Sequence, residues 1–323
     1  MAGDDAAPGD AAAAAASPET LAFAHGHLAG QTGCAFALLP PPVQEDGGGA
    51  PIDGNAQLVT CGADCNLCLR PGADAGPPEE ALGPDTQIRD HEEAVTCVAA
   101  SVEPAPESEG GALQTAWLAT GSEDCFVKLY AYPDAVFETN ATRFELPVRA
   151  VDFAPPSATR VASGADALAL ARAGRAHVGA KAGKPGRAVL ACGGDDGAVR
   201  IVAIARDPAL GGARCRLART LRADAKGGAL PAVKCLRWDP EGAFVAASAA
   251  DGAVRIWACD AGVMAKGKSS GSGEAGGEAD ATAPVVTRRG CGRKMQATDA
   301  CCNQISWHPD GTFLCVPHGA TGE

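Results

Sequence analysis

Four segments of the chain share one alternation of apolar and polar positions: LVTCGADCNLCLR (Leu58–Arg70), LATGSEDCFVKLY (Leu118–Tyr130), LACGGDDGAVRIV (Leu190–Val202) and VAASAADGAVRIW (Val245–Trp257). Each opens on a short apolar run and passes through small residues to an Asp. A period-two run follows, a pattern that predicts strand, tight turn, strand. The aligned acids are Asp64, Asp124, Asp196 and Asp251, spaced 60, 72 and 55 residues apart. In the third and fourth copies the acid is followed by Gly197 and Gly252, and glycine accepts the positive φ of a hairpin turn without strain. A carboxylate suits that corner because it accepts hydrogen bonds from turn amides. Along Ala253–Trp257 the alternation sends Val254 and Ile256 to one face and Arg255 and Trp257 to the other. The expectation is that Val254 and Ile256 are more buried than Arg255.

A second half-unit precedes two of the copies. Val233–Ser248 reads as strand, Asp239-Pro-Glu-Gly turn, strand, and Cys302–His318 repeats it with His308-Pro-Asp-Gly. Ala94–Ser101 and Ala150–Gly164 are looser versions. Strand, Pro-containing turn, strand, small-small-x-Asp turn, strand ending in Trp257: this resembles the WD-repeat β-propeller family. The resemblance implies an all-β fold, an incomplete propeller of about four and a half blades, where a closed ring needs about 4–8. The sequence thus reads as the N-terminal part of a longer protein or as the product of a truncated gene. No copy ends in Trp-Asp, and the Gly-His pair that opens such repeats is present as Gly26-His27. The Asp–His–Ser/Trp hydrogen-bond network of regular blades is therefore expected to be incomplete.

A finer resemblance lies in Leu129–Phe153. There a strand ends at Tyr132-Pro133, Thr142-Arg143-Phe144 follows, and a new strand runs over Val148–Phe153. With His25-Gly26-His27, Cys34-Ala35-Phe36, Leu58–Gly62 and Ile305–Pro309, this is similar to the first propeller of the replisome-adaptor family, which includes the chromosome transmission fidelity adaptor and the WD-repeat and HMG-box DNA-binding protein. The resemblance implies a nuclear, non-enzymatic scaffold acting in DNA replication. Its partners would be the replicative helicase and polymerase α–primase components, with chromatin contact. A generic WD-repeat scaffold, such as a ubiquitin-ligase substrate receptor, is the alternative. No cofactor, membrane partner or small-molecule substrate is implied.

Composition adds boundaries. The chain has 323 residues with 41 Gly and 23 Pro, and these cluster rather than repeat. Residues 1–20 form an acidic Ala-rich tail without the basic start of a targeting segment. Residues 21–318 hold the partial propeller, and 319–323 are a short end. Flexible inserts are expected at 40–56, 71–87, 103–112, 165–188 and 262–290, which lack the apolar content to fold alone. The 14 Cys, with no secretory signal, suit a reducing compartment in which most act as small apolar core residues.

Candidate chemistry is sparse. Cys61, Cys65 and Cys68 have a metal-like spacing but lack the fourth ligand of a structural zinc site, so strand packing is the preferred reading. No Ser, Cys or carboxylate stands at a catalytic spacing from His27, His91, His308 or His318, so no catalytic site is assigned. The net charge of −12 opposes a chain-wide grip on nucleic acid and leaves room for a local one. Arg172, Arg175, Lys181, Lys184 and Arg187 collect positive charge in one insert, and Arg288, Arg289, Arg293 and Lys294 in another. Arg200 and Arg255 recur at the same step of their strands. All are candidates for partner or DNA contact, whereas the aligned Asp and Gly residues are read as turn formers.

Overall fold

A computed structural model describes residues 27, 29–38, 56–69, 86–104, 113–155, 187–207, 212–221, 231–259, 284, 286–289 and 304–316. Their regular structure is entirely β. The first sheet pairs β1 (Gln31–Leu38), β2 (Ala56–Gly62), β3 (Leu67–Leu69) and β4 (Thr86–Ile88) in chain order. In the second, β5 (Val95–Ala100) pairs β8 (Trp117–Ser122), followed by β9 (Phe126–Ala131) and β10 (Val136–Arg143). A small hairpin of β6 (Glu103–Pro104) and β7 (Leu113–Gln114) lies between β5 and β8 in the chain. The third sheet is β11 (Val148–Phe153), β12 (Arg187–Gly194), β13 (Val199–Asp207) and β14 (Gly212–Leu221). The fourth is β15 (Val233–Trp238), β16 (Phe244–Ala249), β17 (Ala253–Ala258) and β18 (Val286–Arg289). The pair β19 (Ser306–Trp307) and β20 (Leu314–Cys315) begins a fifth. Every pairing is antiparallel.

The first strands form an inner row: β5 lies against β1 and β11, β11 against β15, and β15 against β19. Each junction between sheets has its own core. Val59, Leu67 and Leu69 of sheet one meet Val95, Leu118 and Tyr130 of sheet two. Trp117 and Leu129 meet Val151, Leu190 and Ile204; Ile201 and Leu221 meet Trp238, Val245 and Trp257. Val254 and Ile256 pack toward Ile305, Trp307 and Leu314. An internal sheet is thus covered on both faces, which is why its strands read as nearly continuous apolar runs.

That two-sided burial reverses part of one expectation. Val254 and Ile256 do share a face, opposite Arg255 and Trp257, and Val254 at 6% exposed is more buried than Arg255 at 8%, as expected. Ile256, however, is only half-buried and so less buried than Arg255. The alternation selects which neighbouring sheet a residue meets; it does not sort core from solvent. Two strands also fall where composition pointed to inserts. Thr86–Ile88 overlaps 71–87 and supplies the outer strand of sheet one, and Val286–Arg289, inside 262–290, supplies that of sheet four. An outer strand pairs through main-chain groups, so a polar Thr-Gln or Thr-Arg-Arg sequence serves. Glu103–Pro104 and Arg187–Ala188 are likewise strand residues at the margins of 103–112 and 165–188. The strand paired with β11 is β12, and residues 161–164 of the looser copy lie outside the described residues.

Candidate functional site

The turn residues align in space as they do in sequence. Asp64, Asp124, Asp196 and Asp251 each precede a residue of positive φ: Cys65 at 67°, Cys125 at 69°, Gly197 at 74° and Gly252 at 71°. The acids accept hydrogen bonds from the amides two residues on, Asn66 at 3.3 Å, Phe126 at 3.0 Å, Ala198 at 3.0 Å and Ala253 at 3.1 Å. All four turns are built alike.

What else each acid holds divides the molecule. In sheet one, His27 Nδ1 lies 2.9 Å from Asp64 and its Nε2 lies 2.9 Å from the Thr60 hydroxyl. In sheet two, His91 Nδ1 lies 2.7 Å from Asp124 and Nε2 lies 2.7 Å from Thr120. A carboxylate only accepts, so Nδ1 is the donor in both. Thr120 also meets the Tyr130 hydroxyl, so acid, His, Thr and Tyr form one chain of bonds. Burial lowers the pKa of His91, outweighing the pull of Asp124. Burial of Asp124 opposes its ionisation, but the Phe126 amide and His91 together hold its carboxyl below the usual range.

In sheets three and four the Thr position is Cys192 and Ala247, which cannot continue such a chain. There the acid turns to a cation four residues on. Arg200 lies 2.9 Å from Asp196, with its guanidinium 3.8 Å above the Phe144 ring. Arg255 donates to Asp251 at 3.1 Å. Trp257 stands at the position of Tyr130, and among the described residues its Nε1 has no hydrogen-bond partner. Arg200 and Arg255 are therefore directed into their own hairpins.

The second residue of each inner strand repeats the division. Thr32 donates to the Val95 carbonyl, and Thr96 to that of Val148 at 2.6 Å. At the same step Arg149 reaches Glu123 at 2.8 Å and Asp195 at 2.9 Å, and Lys234 lies 3.6 Å from Asp195.

The Pro-containing turns share one form. Gly242 and Gly311 have φ of 67° and 66°, and Asp239 accepts from the Ala243 and Phe244 amides. The fold is a WD-repeat β-propeller. The WD domain, G-beta repeat family matches residues 84–131 and 218–258. Each match takes in outer-strand residues of one blade, all of β4 or the end of β14, and runs through three strands of the next. The sequence repeat is thus offset from the structural blade, so each repeat binds two blades together. The chain is also similar to Protein ENHANCER OF LHP1 1 of Arabidopsis thaliana, 40% identical over 70 residues, which is 22% of this chain and 6% of that protein.

The remaining candidates have clear places. Cys61 and Cys68 are buried strand residues and Cys65 is the turn residue; burial pushes the Cys61 thiol up to about 12. Among the described residues no group of His, Cys, Asp or Glu is arranged to hold a metal ion. His308 sits beside Asp310 in its turn. Arg187 begins β12 and is exposed, as is Arg288 on β18. Arg172, Arg175, Lys181 and Lys184, with Arg293 and Lys294, lie outside the described residues. His91 was missed as a blade residue because Asp90 stands where the repeat usually has Gly; its distance of 33 residues from Asp124, close to the 37 between His27 and Asp64, was the available signal.

Proposed function

We propose that the chain is the WD propeller of a nuclear adaptor that serves DNA replication, linking the replicative helicase to polymerase α–primase and standing close to chromatin. WD-repeat propellers act as protein-interaction scaffolds, presenting rigid blades to partners. The observation that carries the finer reading is the connection from blade two to blade three. In Thr142-Arg143-Phe144, the segment similar to the replisome-adaptor family, Thr142 and Arg143 end β10 and Phe144 follows it, 2% exposed beneath Arg200 of blade three. Phe144 is the packed residue of that connection, with Thr142 half-buried and Arg143 exposed. The match to Protein ENHANCER OF LHP1 1 supports the repeat without identifying a partner.

The test is capture of purified helicase and polymerase α–primase components by the tagged, folded chain, beside a cullin-type ubiquitin-ligase adaptor. Retention of a replication component supports the reading. Retention of the ubiquitin-ligase adaptor alone would assign the chain to a substrate receptor instead.

A further inference from the structure

Blade three is taller than its neighbour. Its strands β12, β13 and β14 have 8, 9 and 10 residues, whereas β16, β17 and β18 of blade four have 6, 6 and 4. The face toward blade four carries Val189, Ala191 and Ile201, which pack on Trp238, Val245 and Trp257. Beyond the rung of Phe244 and Ala258, where β16 and β17 stop pairing, the same face continues as a ledge.

Register fixes what stands on it. Arg187 pairs Ala205, which pairs Arg214, and two rungs inward, on the same face, Ala203 pairs Arg216. Residues on one rung project from one face, so Arg187, Arg214 and Arg216 share the ledge, with Arg219 further along β14 beside Ile201. The first three are exposed. Among the described residues no carboxylate is paired with Arg187, Arg214 or Arg219. Arg206 points the other way, over the Trp117 ring.

We infer that this ledge binds the phosphodiester backbone of double-stranded nucleic acid, whichever assembly the scaffold serves. Arg214 and Arg216 are two residues apart, about 7 Å, and Arg187 is two strands from Arg214, about 10 Å. Guanidinium forks at such spacings suit a ligand with a regular series of phosphates. An acidic peptide added as a fifth strand is disfavoured, because the Ala213 amide on the outer edge of β14 already donates to Glu138 of blade two at 2.8 Å. Among the described residues the ledge presents Arg and Ala and no aromatic ring, which does not match the stacking surface that single strands require. Attraction must be local because the whole chain is acidic, and screening then makes it strongly salt-dependent.

The experiment is fluorescence anisotropy of the full chain with a labelled duplex DNA of random sequence, from about 50 to about 200 mM salt. The Arg187→Ala/Arg214→Ala/Arg216→Ala variant is expected to bind at least about tenfold more weakly at the lowest salt and to flatten the log–log slope by about 2 to 3. Lysine at all three positions keeps the charge and is expected to retain most of the slope, which also shows that the substituted ledge folds. Removing three cations elsewhere, by Arg172→Ala/Arg175→Ala/Lys181→Ala, matches the change in net charge. If that variant loses binding while the ledge variant does not, the assignment is overturned. It is equally overturned if polyglutamate of equal charge displaces the DNA from the intact chain as well as unlabelled duplex does, since the ledge would then read carboxylates.

Discussion

Blades one and two and blades three and four have the same turns and hold them differently. In the first pair the turn acid binds a buried His, which binds a Thr in the neighbouring strand, and the inner-strand contact is a Thr hydroxyl on a carbonyl. In the second pair the acid binds an Arg of its own hairpin, and the inner-strand contacts are cations between carboxylates. Two positions change together. Thr60 and Thr120 give way to Cys192 and Ala247, and four residues before the inner strand, where blades one and two have His27 and His91, blade three has Phe144. The acid is thus left without an imidazole and takes another donor. The His comes from the chain before the blade, so its bond joins distant segments. The Arg comes from four residues on, so its bond closes only a hairpin.

The largest expected effect follows from that reach. His91 is 4% exposed and bonds at both ring nitrogens, so His91→Ala leaves Asp124 and Thr120 short of a partner. It should lower the unfolding free energy by about 2–4 kcal/mol, read from urea midpoints. Loss of the Arg255 partner should cost less, because the Asp251 side chain remains in contact with water.

The turns sharpen the comparison at the next level. Gly252→Val should destabilise blade four by about 1–3 kcal/mol, because a β-branched residue is strained at a φ of 71°. In blade two the same place is held by Cys125, so Cys125→Gly should stabilise the protein by about 0.5–1 kcal/mol in thermal melts, by relieving a left-handed non-glycine residue. An unchanged midpoint in both would mean that the turns carry no strain.

Acid separates the two pairs again. The pKa of His91 is lowered on folding, so the unfolded chain binds its proton more readily. Its contribution is complete above the unfolded value of 6.5 and is lost as pH falls below it. Asp152 behaves oppositely. It is half-buried between blades three and four, where it accepts from the Trp238 amide at 2.7 Å, and desolvation pushes its carboxyl up to about 6. Its contribution is complete below the unfolded value of 3.8 and is lost as pH rises toward 6. Replacing His91 should therefore flatten the loss of stability between pH 6.5 and the lower folded value, and Asp152→Asn should flatten the opposing slope. The smallest effect is expected at the surface: Arg149→Ala should cost about 0.5–1 kcal/mol, less in high salt, because its partners are partly exposed.

The repeats were legible because a tight turn demands an acid and a left-handed residue at fixed offsets, and strands demand period two. Asp64 and Asp251 could thus be aligned across 187 residues. Arg255 was misjudged because period two names a face without naming what covers it, and both faces of a blade are covered. The strands at Thr86–Ile88 and Val286–Arg289 were hidden because an outer strand needs amides more than apolar side chains. The ledge required register, which brings Arg187 beside Arg214 and Arg216, 27 and 29 residues further along the chain.

Hydrogen exchange by mass spectrometry on two variants tests the central claim directly. Asp124→Ala should speed exchange both in its own hairpin and in the distant segment 89–93 that carries His91. Asp251→Ala should speed exchange only across 248–256. Equal, purely local footprints would contradict the division of the propeller into blades tied by His across the chain and blades tied by Arg within a hairpin.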